Sequence, residues 1–284
     1  MATLIDGRRI AEDIRAEIRA DIAALSEHGI TPGLAVVMVG DDPASLTYAH
    51  SKRVACEKLG IYSEEHFLPR ETSQEAVIAL IRSLNADNRI DGILVEMPLP
   101  EHLDKLAVTS AIAPEKDIDC CSPTNIGRVF MSNHDFAPCT PAGCMELLDR
   151  SGVELEGKSC VVIGRSNFVG KPMAMLLMER HATITVCHSR TVGLPDITRR
   201  ADVLVSAVGR ARFITADMVR PGAVVIDIGT NRDENGKLCG DVDFAAVEPV
   251  ASLITPVPGG VGPMTVTVLL RNTVKSAIIR RKKA

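Results

Sequence analysis

The chain has 284 residues, 46% of them hydrophobic and 24% charged, with a net charge of −4. That length allows one large or two modest domains, and the composition is that of a globular protein. The negative charge argues against nucleic acid or anionic membranes as partners, and the basic run from Arg280 to Lys283 reads as a helix end that complements its dipole.

Taken in chain order, Asp6 is placed to cap a helix whose apolar face is Ile10, Ile14, Ile18, Ile22 and Leu25, ending near Gly29. Leu34 to Val39 is an apolar strand, and Pro43 to Leu59 reads as a helix closed by Gly60. Ser73 opens a further helix with Val77, Ile78, Ile81 and Leu84 as its apolar side. Gly92 to Val95 is a short strand that runs into the stiff segment Met97-Pro98-Leu99-Pro100. In the second half, strands at 159–163, 182–187, 202–206 and 223–228 alternate with helical or loop segments, and 264–279 is helical. Alternating strands and helices predict parallel α/β sheets, and the last helix is expected to cross back onto the first domain.

No apolar run reaches 18 residues, and Met1 to Ile10 lacks the apolar centre of a signal peptide, so a cytoplasmic protein is expected. The eight cysteines include no C-x-x-C pair and the histidines are scattered, which predicts free thiols and no metal site.

The segment VVIGRSNFVGKP (161–172) carries the most chemistry. A buried strand breaks at Gly164, and a helix begins near Lys171-Pro172; a strand, a glycine turn and a helix start together form an anion-binding geometry. Five residues separate Gly164 from Gly170, and Pro172 follows Lys171, so this is not a P-loop. Ser166 stands where the second glycine of G-x-G-x-x-G would be, a partial match that leaves a dinucleotide site and a plain strand–helix turn both open. The next strand ends in His188-Ser189-Arg190 with no acid to hold ribose hydroxyls. Together with Arg165, this end suits a 2′-phosphate, and so NADP over NAD. The later strand ends, Ala207-Val208-Gly209 and Asp227-Ile228-Gly229-Thr230, are expected to ring the same cofactor.

Tyr48 and Lys52 lie four apart on one predicted helix and share a face, where a phenol and an amine can polarise a substrate or relay protons. DGILVEMPLP (91–100) sets Glu96 at a rigid strand end. PEKDIDCCSPTNIGR (114–128) gathers acids and two thiols, and TPVPGGVGPMT (255–265) is a glycine-proline loop open to close backbone approach. Each alone also fits an ordinary turn or surface.

Together these segments, with PCTPAG (138–143), GRSNFVGKP (164–172), CHSRT (187–191) and DIGTN (227–231), resemble the bifunctional methylenetetrahydrofolate dehydrogenase/methenyltetrahydrofolate cyclohydrolase (FolD) family. The resemblance implies an α/β subunit of two domains. A folate-binding catalytic domain (1–137 with 264–284) faces a Rossmann-like NADP-binding domain (138–263), with a folate cleft between them. It implies a homodimer, hydride transfer from the methylene folate to NADP+, and hydrolysis of the methenyl product to the 10-formyl form. It assigns the hydrolytic proton transfers to Lys52, places Tyr48 against the folate and Asp119 on the pterin, and lines the pterin or nicotinamide pocket with Pro258, Gly259 and Gly260. Val169 and Gly170 join Gly164, Arg165 and Ser166 on the cofactor side.

Two positions depart from the family. Glu96 replaces the usual glutamine, and Cys120 replaces the glycine after Asp119. A carboxylate beside an ammonium favours its charged form, so dehydrogenase activity is expected to persist and hydrolysis to weaken. A monofunctional dehydrogenase and a non-catalytic folate-binding relative are the alternative readings. Cys120 is expected to alter its loop if that glycine uses a positive φ.

Overall fold

The computed structural model describes residues 1–282, and of Pro43, Ala44, Ser45, Thr47, Tyr48 and Lys282 only the backbone. The first half runs β1 (Thr3–Leu4), α1 (Gly7–Ser26), β2 (Gly33–Val39), α2 (Pro43–Leu59), β3 (Tyr62–Leu68), α3 (Gln74–Ala86), β4 (Gly92–Val95), α4 (Lys105–Ser110) and α5 (Pro123–Phe130). The second half runs α6 (Cys139–Arg150), β5 (Ser159–Ile163), α7 (Gly170–Glu179), β6 (Thr183–Cys187), α8 (Leu194–Thr198), β7 (Val203–Ser206) and β8 (Val224–Asp227). It closes with β9 (Asn231–Arg232), β10 (Leu238–Cys239), α9 (Phe244–Val247), β11 (Leu253–Ile254) and α10 (Val261–Lys282).

The contacts divide the chain into two compact units, Asp13–Ala137 with Leu269–Ala284, and Met1–Glu12 with Pro138–Val268. The family resemblance implies a division at 137/138 and 263/264 with the N-terminus in the front domain. The first residues group instead with the second unit, because β1 pairs in parallel with β11, Thr3 against Leu253 and Leu4 against Ile254.

In the unit built on 13–137, β2 lies between β3 and β4 in a parallel sheet. All seven residues of β2, GLAVVMV, are buried, as a central parallel strand requires. Val77, Ile81 and Leu84 of α3 pack with Ala35, Val37, Ile93 and Val95 in one core. Ser73 caps α3 by accepting the N–H of Ala76 at 3.3 Å. The part of α10 from Leu269 onward belongs to this unit. Asn272 Nδ2 donates to the Ile118 carbonyl at 2.8 Å, and Ser276 Oγ donates to the carbonyls of Asp91 and Glu115, each at 2.6 Å.

The other unit is a six-stranded sheet in the order β1-β11-β8-β7-β5-β6, with every paired strand parallel. The chain leaves β5 for β6 on one side and returns to β7 on the other. The strand order therefore reverses at β5/β7, where ligands bind beyond strand ends in open α/β sheets. Val161, Ile163, Leu204, Val225 and Ile254 anchor its core. Among the described residues, no helix is long and apolar enough to cross a membrane.

Candidate cofactor pocket and lysine site

At the reversal point the turn after β5 is built by contact distances that exclude side chains. Gly164 has φ +127°, and a Cβ there would stand 2.4 Å from the Ala207 carbonyl oxygen. A Cβ on Gly170 would stand 2.2 Å from the Gly164 oxygen, so the first turn of α7 lies directly on the strand end. Ser166, at the place of the second glycine in G-x-G-x-x-G, has a bonding role: its Oγ accepts the N–H groups of Val169 and Gly170 at 3.2 and 3.3 Å. The turn after β6 is held by its own side chains, with the His188 N–H donating to Thr191 Oγ1 at 2.9 Å and the Arg190 N–H to His188 Nδ1 at 3.1 Å.

These turns surround a cavity of about 430 Å³, lined by Ile163, Gly164, Arg165, His188, Ser189, Thr191, Leu194, Ala207, Val208, Arg210 and Phe213. The lining carries two guanidinium groups and no carboxylate. Of the residues singled out from sequence, Gly164, Arg165, His188, Ser189 and Ala207 line this cavity. Ser166, Val169 and Gly170 are not lining residues; they hold the shape of the turn after β5. Arg190, Gly209, Gly229 and Thr230 are not among its lining residues. Gly209 and Gly229 instead pack on a buried carboxylate, Asp241. Val208, in the Ala207-Val208-Gly209 strand end, also lines the cavity, whereas sequence reasoning missed Thr191, Leu194, Arg210 and Phe213; Arg210 stacks over the Phe213 ring at 4.5 Å. The one available signal for Arg210 and Phe213 was their place just beyond the Ala207-Val208-Gly209 strand end.

In the other unit, α2 carries Lys52, 7% exposed, and the end of β4 carries Glu96. Their side chains meet in an ion pair, Lys52 Nζ to Glu96 Oε1, with side-chain exposures of only 8% and 11%. The Glu96 backbone is fixed by its N–H, which donates to the Val37 carbonyl at 2.9 Å. Tyr48 sits one turn before Lys52 in α2, and its side chain lies outside the described residues.

Asp117 organises the neighbouring loop by accepting the N–H groups of Cys121 and Ser122 and the Asn125 amide, all at 2.9 Å. Cys120 is fully buried and takes φ 54°, the left-handed conformation that glycine adopts freely. Asp119 accepts the Cys121 thiol at 3.5 Å through Oδ2. Burial, with the nearby carboxylates, pushes both thiols above the ordinary cysteine range, which favours the protonated form. Pro258 is exposed, while Gly259 has φ +110° and Gly260 is pressed against the start of α1: a Cβ on Gly7 would stand 1.9 Å from its oxygen. Among the described residues, no group of three or more histidine, cysteine or acidic side chains is arranged to hold a metal ion.

Comparison with known proteins agrees with this arrangement. Residues 5–119 match the catalytic domain of the tetrahydrofolate dehydrogenase/cyclohydrolase family, and residues 138–281 match its NAD(P)-binding domain. The bifunctional protein FolD of Acetivibrio thermocellus is 51% identical over 281 residues, 99% of each chain. The crystal structure of the bifunctional FolD from Campylobacter jejuni superposes with a TM-score of 0.97 at 46% identity, covering 99% of this chain and 100% of that one. The Trypanosoma brucei dehydrogenase-cyclohydrolase, solved with NADP and an inhibitor, gives 0.94 at 40% identity, covering 100% and 99%. With both domains matched and half of the sequence shared along its length, the chain belongs to the tetrahydrofolate dehydrogenase/cyclohydrolase family.

Proposed function

We propose that this protein oxidises methylenetetrahydrofolate to methenyltetrahydrofolate with NADP+ and hydrolyses the methenyl form to 10-formyltetrahydrofolate, the second step slowed by Glu96. The observation that carries the cofactor side is the pocket at the β5/β7 reversal, which combines close glycine contacts, Arg165, Ser189 and Arg210 with no lining carboxylate. Gly164 and Gly170 let the backbone approach a pyrophosphate. Arg165 and Ser189 offer charge and a hydroxyl to a 2′-phosphate, which a carboxylate would repel. NADP+ supplies the hydride acceptor when bound. Oxidation needs little acid or base from the protein, so its residues serve chiefly to position the reactants.

Hydrolysis requires a proton to leave the attacking water and another to reach the departing ring nitrogen. Lys52 is the group assigned to that work, with Tyr48 positioning the folate, Asp119 bonding the pterin, and Pro258, Gly259 and Gly260 lining its pocket. The nitrogen of an ion-paired lysine has no free lone pair and can accept a proton only after giving one up, so the Lys52–Glu96 contact supports a slowed hydrolase in a working dehydrogenase. The reading includes a cytoplasmic homodimer, supported by the resemblance alone. Two absorbance assays test it: formation of reduced nicotinamide from methylenetetrahydrofolate, and decay of methenyltetrahydrofolate without nucleotide. NADP-linked reduction together with slow, enzyme-dependent decay is expected; no activity in either assay would overturn the proposal.

A further inference from the structure

Asp241 is fully buried and lies far in sequence from the turns that form the pocket, yet its carboxylate collects five donors. Oδ2 accepts the N–H of Val208 at 2.7 Å, the N–H of Gly209 at 3.3 Å and the Ser206 hydroxyl at 3.1 Å. Oδ1 accepts the N–H of Arg210 and the Asn231 amide, each at 2.9 Å. Three consecutive backbone N–H groups converging at a strand end make an anion-binding concavity. Here the anion is the protein's own.

The segment bearing Asp241 is fixed in turn by Asp227 at the end of β8. Asp227 accepts the N–H groups of Gly229 and Asp241 through Oδ1 and that of Val242 through Oδ2, all at 2.9 Å. No slack remains, because a Cβ on Gly229 would stand 2.2 Å from Asp241 Oδ1 and one on Gly240 would stand 1.8 Å from Asp227 Oδ2. Of the three residues held at their N–H groups, Val208 and Arg210 are themselves walls of the cofactor pocket.

We infer that Asp241 is a positioning residue for the dinucleotide. Its carboxylate fills the anion hole at the end of β7, leaves the β5 turn as the place for the cofactor's phosphates, and sets Val208 and Arg210 against the adenosine half. The inference rests on the proposed cofactor reading. Asparagine at 241 keeps one acceptor oxygen and turns an amide toward N–H donors, so the turn loses its shape while the strands remain. Calorimetric titration with NADP+ is therefore expected to show at least a tenfold higher Kd for Asp241→Asn. Cofactor-free methenyltetrahydrofolate hydrolysis, whose proton transfers are assigned to Lys52 in the other unit, is expected to stay within twofold.

Asn231→Ala, which removes one donor only, is expected to raise the Kd about threefold, in line with the loss of one modest hydrogen bond. A merely structural role would lower the melting temperature and leave the Kd alone. A folded Asp241→Asn protein with an unchanged Kd overturns the inference. If that variant does not fold, an unchanged Kd in Asn231→Ala does so. Failure of the native protein to bind NADP+ would strike the cofactor reading itself.

Discussion

Replacing Glu96 with glutamine is expected to raise the rate of methenyltetrahydrofolate hydrolysis about tenfold. Lys52 and Glu96 form an ion pair whose side chains are 8% and 11% exposed, so solvent screens it little. Hydrogen bonds to charged groups contribute about 1.5–3 kcal/mol, and neutral ones about 0.5–1.5 kcal/mol. Exchanging carboxylate for amide keeps the shape and one acceptor for the ammonium but removes the opposite charge, which moves the bond from the upper to the lower part of the charged range, roughly 1.4 kcal/mol or about tenfold in the population of lysine released from the pair. The assay is the initial decay of methenyltetrahydrofolate absorbance, corrected for spontaneous hydrolysis, in native and E96Q protein across a pH series. NADPH formation from the methylene substrate serves as the control and is expected to change less than about twofold, since that step draws on positioning more than on proton transfer. Brisk native hydrolysis that E96Q leaves unchanged or slows would refute the reasoning.

Gly170→Ala is expected to weaken NADP+ binding at least tenfold and to lower the melting temperature, because its Cβ would meet the Gly164 oxygen at 2.2 Å and the Arg165 nitrogen at 2.8 Å, both backbone atoms; normal binding by titration would contradict the close-approach account of the turn. Burial pushes the Asp227 carboxyl up from 3.8 to about 6, so the folded state holds that proton more tightly than the unfolded chain. The associated stability is complete below about pH 4 and is lost as pH rises through about 6, up to about 3 kcal/mol in all. Urea unfolding should therefore show the native protein's advantage over Asp227→Asn shrinking between those pH values, and a constant difference would count against it. At Cys120, held at φ 54°, the usual order of substitutions is expected to invert. Cys120→Gly should be at least as stable as Cys120→Ala in urea, because alanine keeps a left-handed strain of about 1 kcal/mol that glycine lacks; a glycine variant clearly less stable than the alanine one would refute this.

The fold was legible where burial on both faces writes a continuous apolar run, as in β2, β5 and β7. It was illegible at β3, whose YSEEHFL is charged because this edge strand is only partly covered. The paired β1 and β11 are two residues each, too short to carry a period, and they moved the N-terminus from one unit to the other. The β5 turn announced itself through Gly164 and Gly170. Asp241 did not, because its partners lie 10 to 35 residues away and only the folded sheet gathers them. Lys52 and Glu96 are likewise 44 residues apart, and their pairing was expected only through the family resemblance.

Tracing the hydride tests the central claim most directly. With methylenetetrahydrofolate deuterated at its one-carbon unit and NADP+ as acceptor, the account predicts deuterium in the NADPH formed by the protein, at a rate well above that with NAD+. Reduced cofactor free of label, or label released only to solvent, would contradict it.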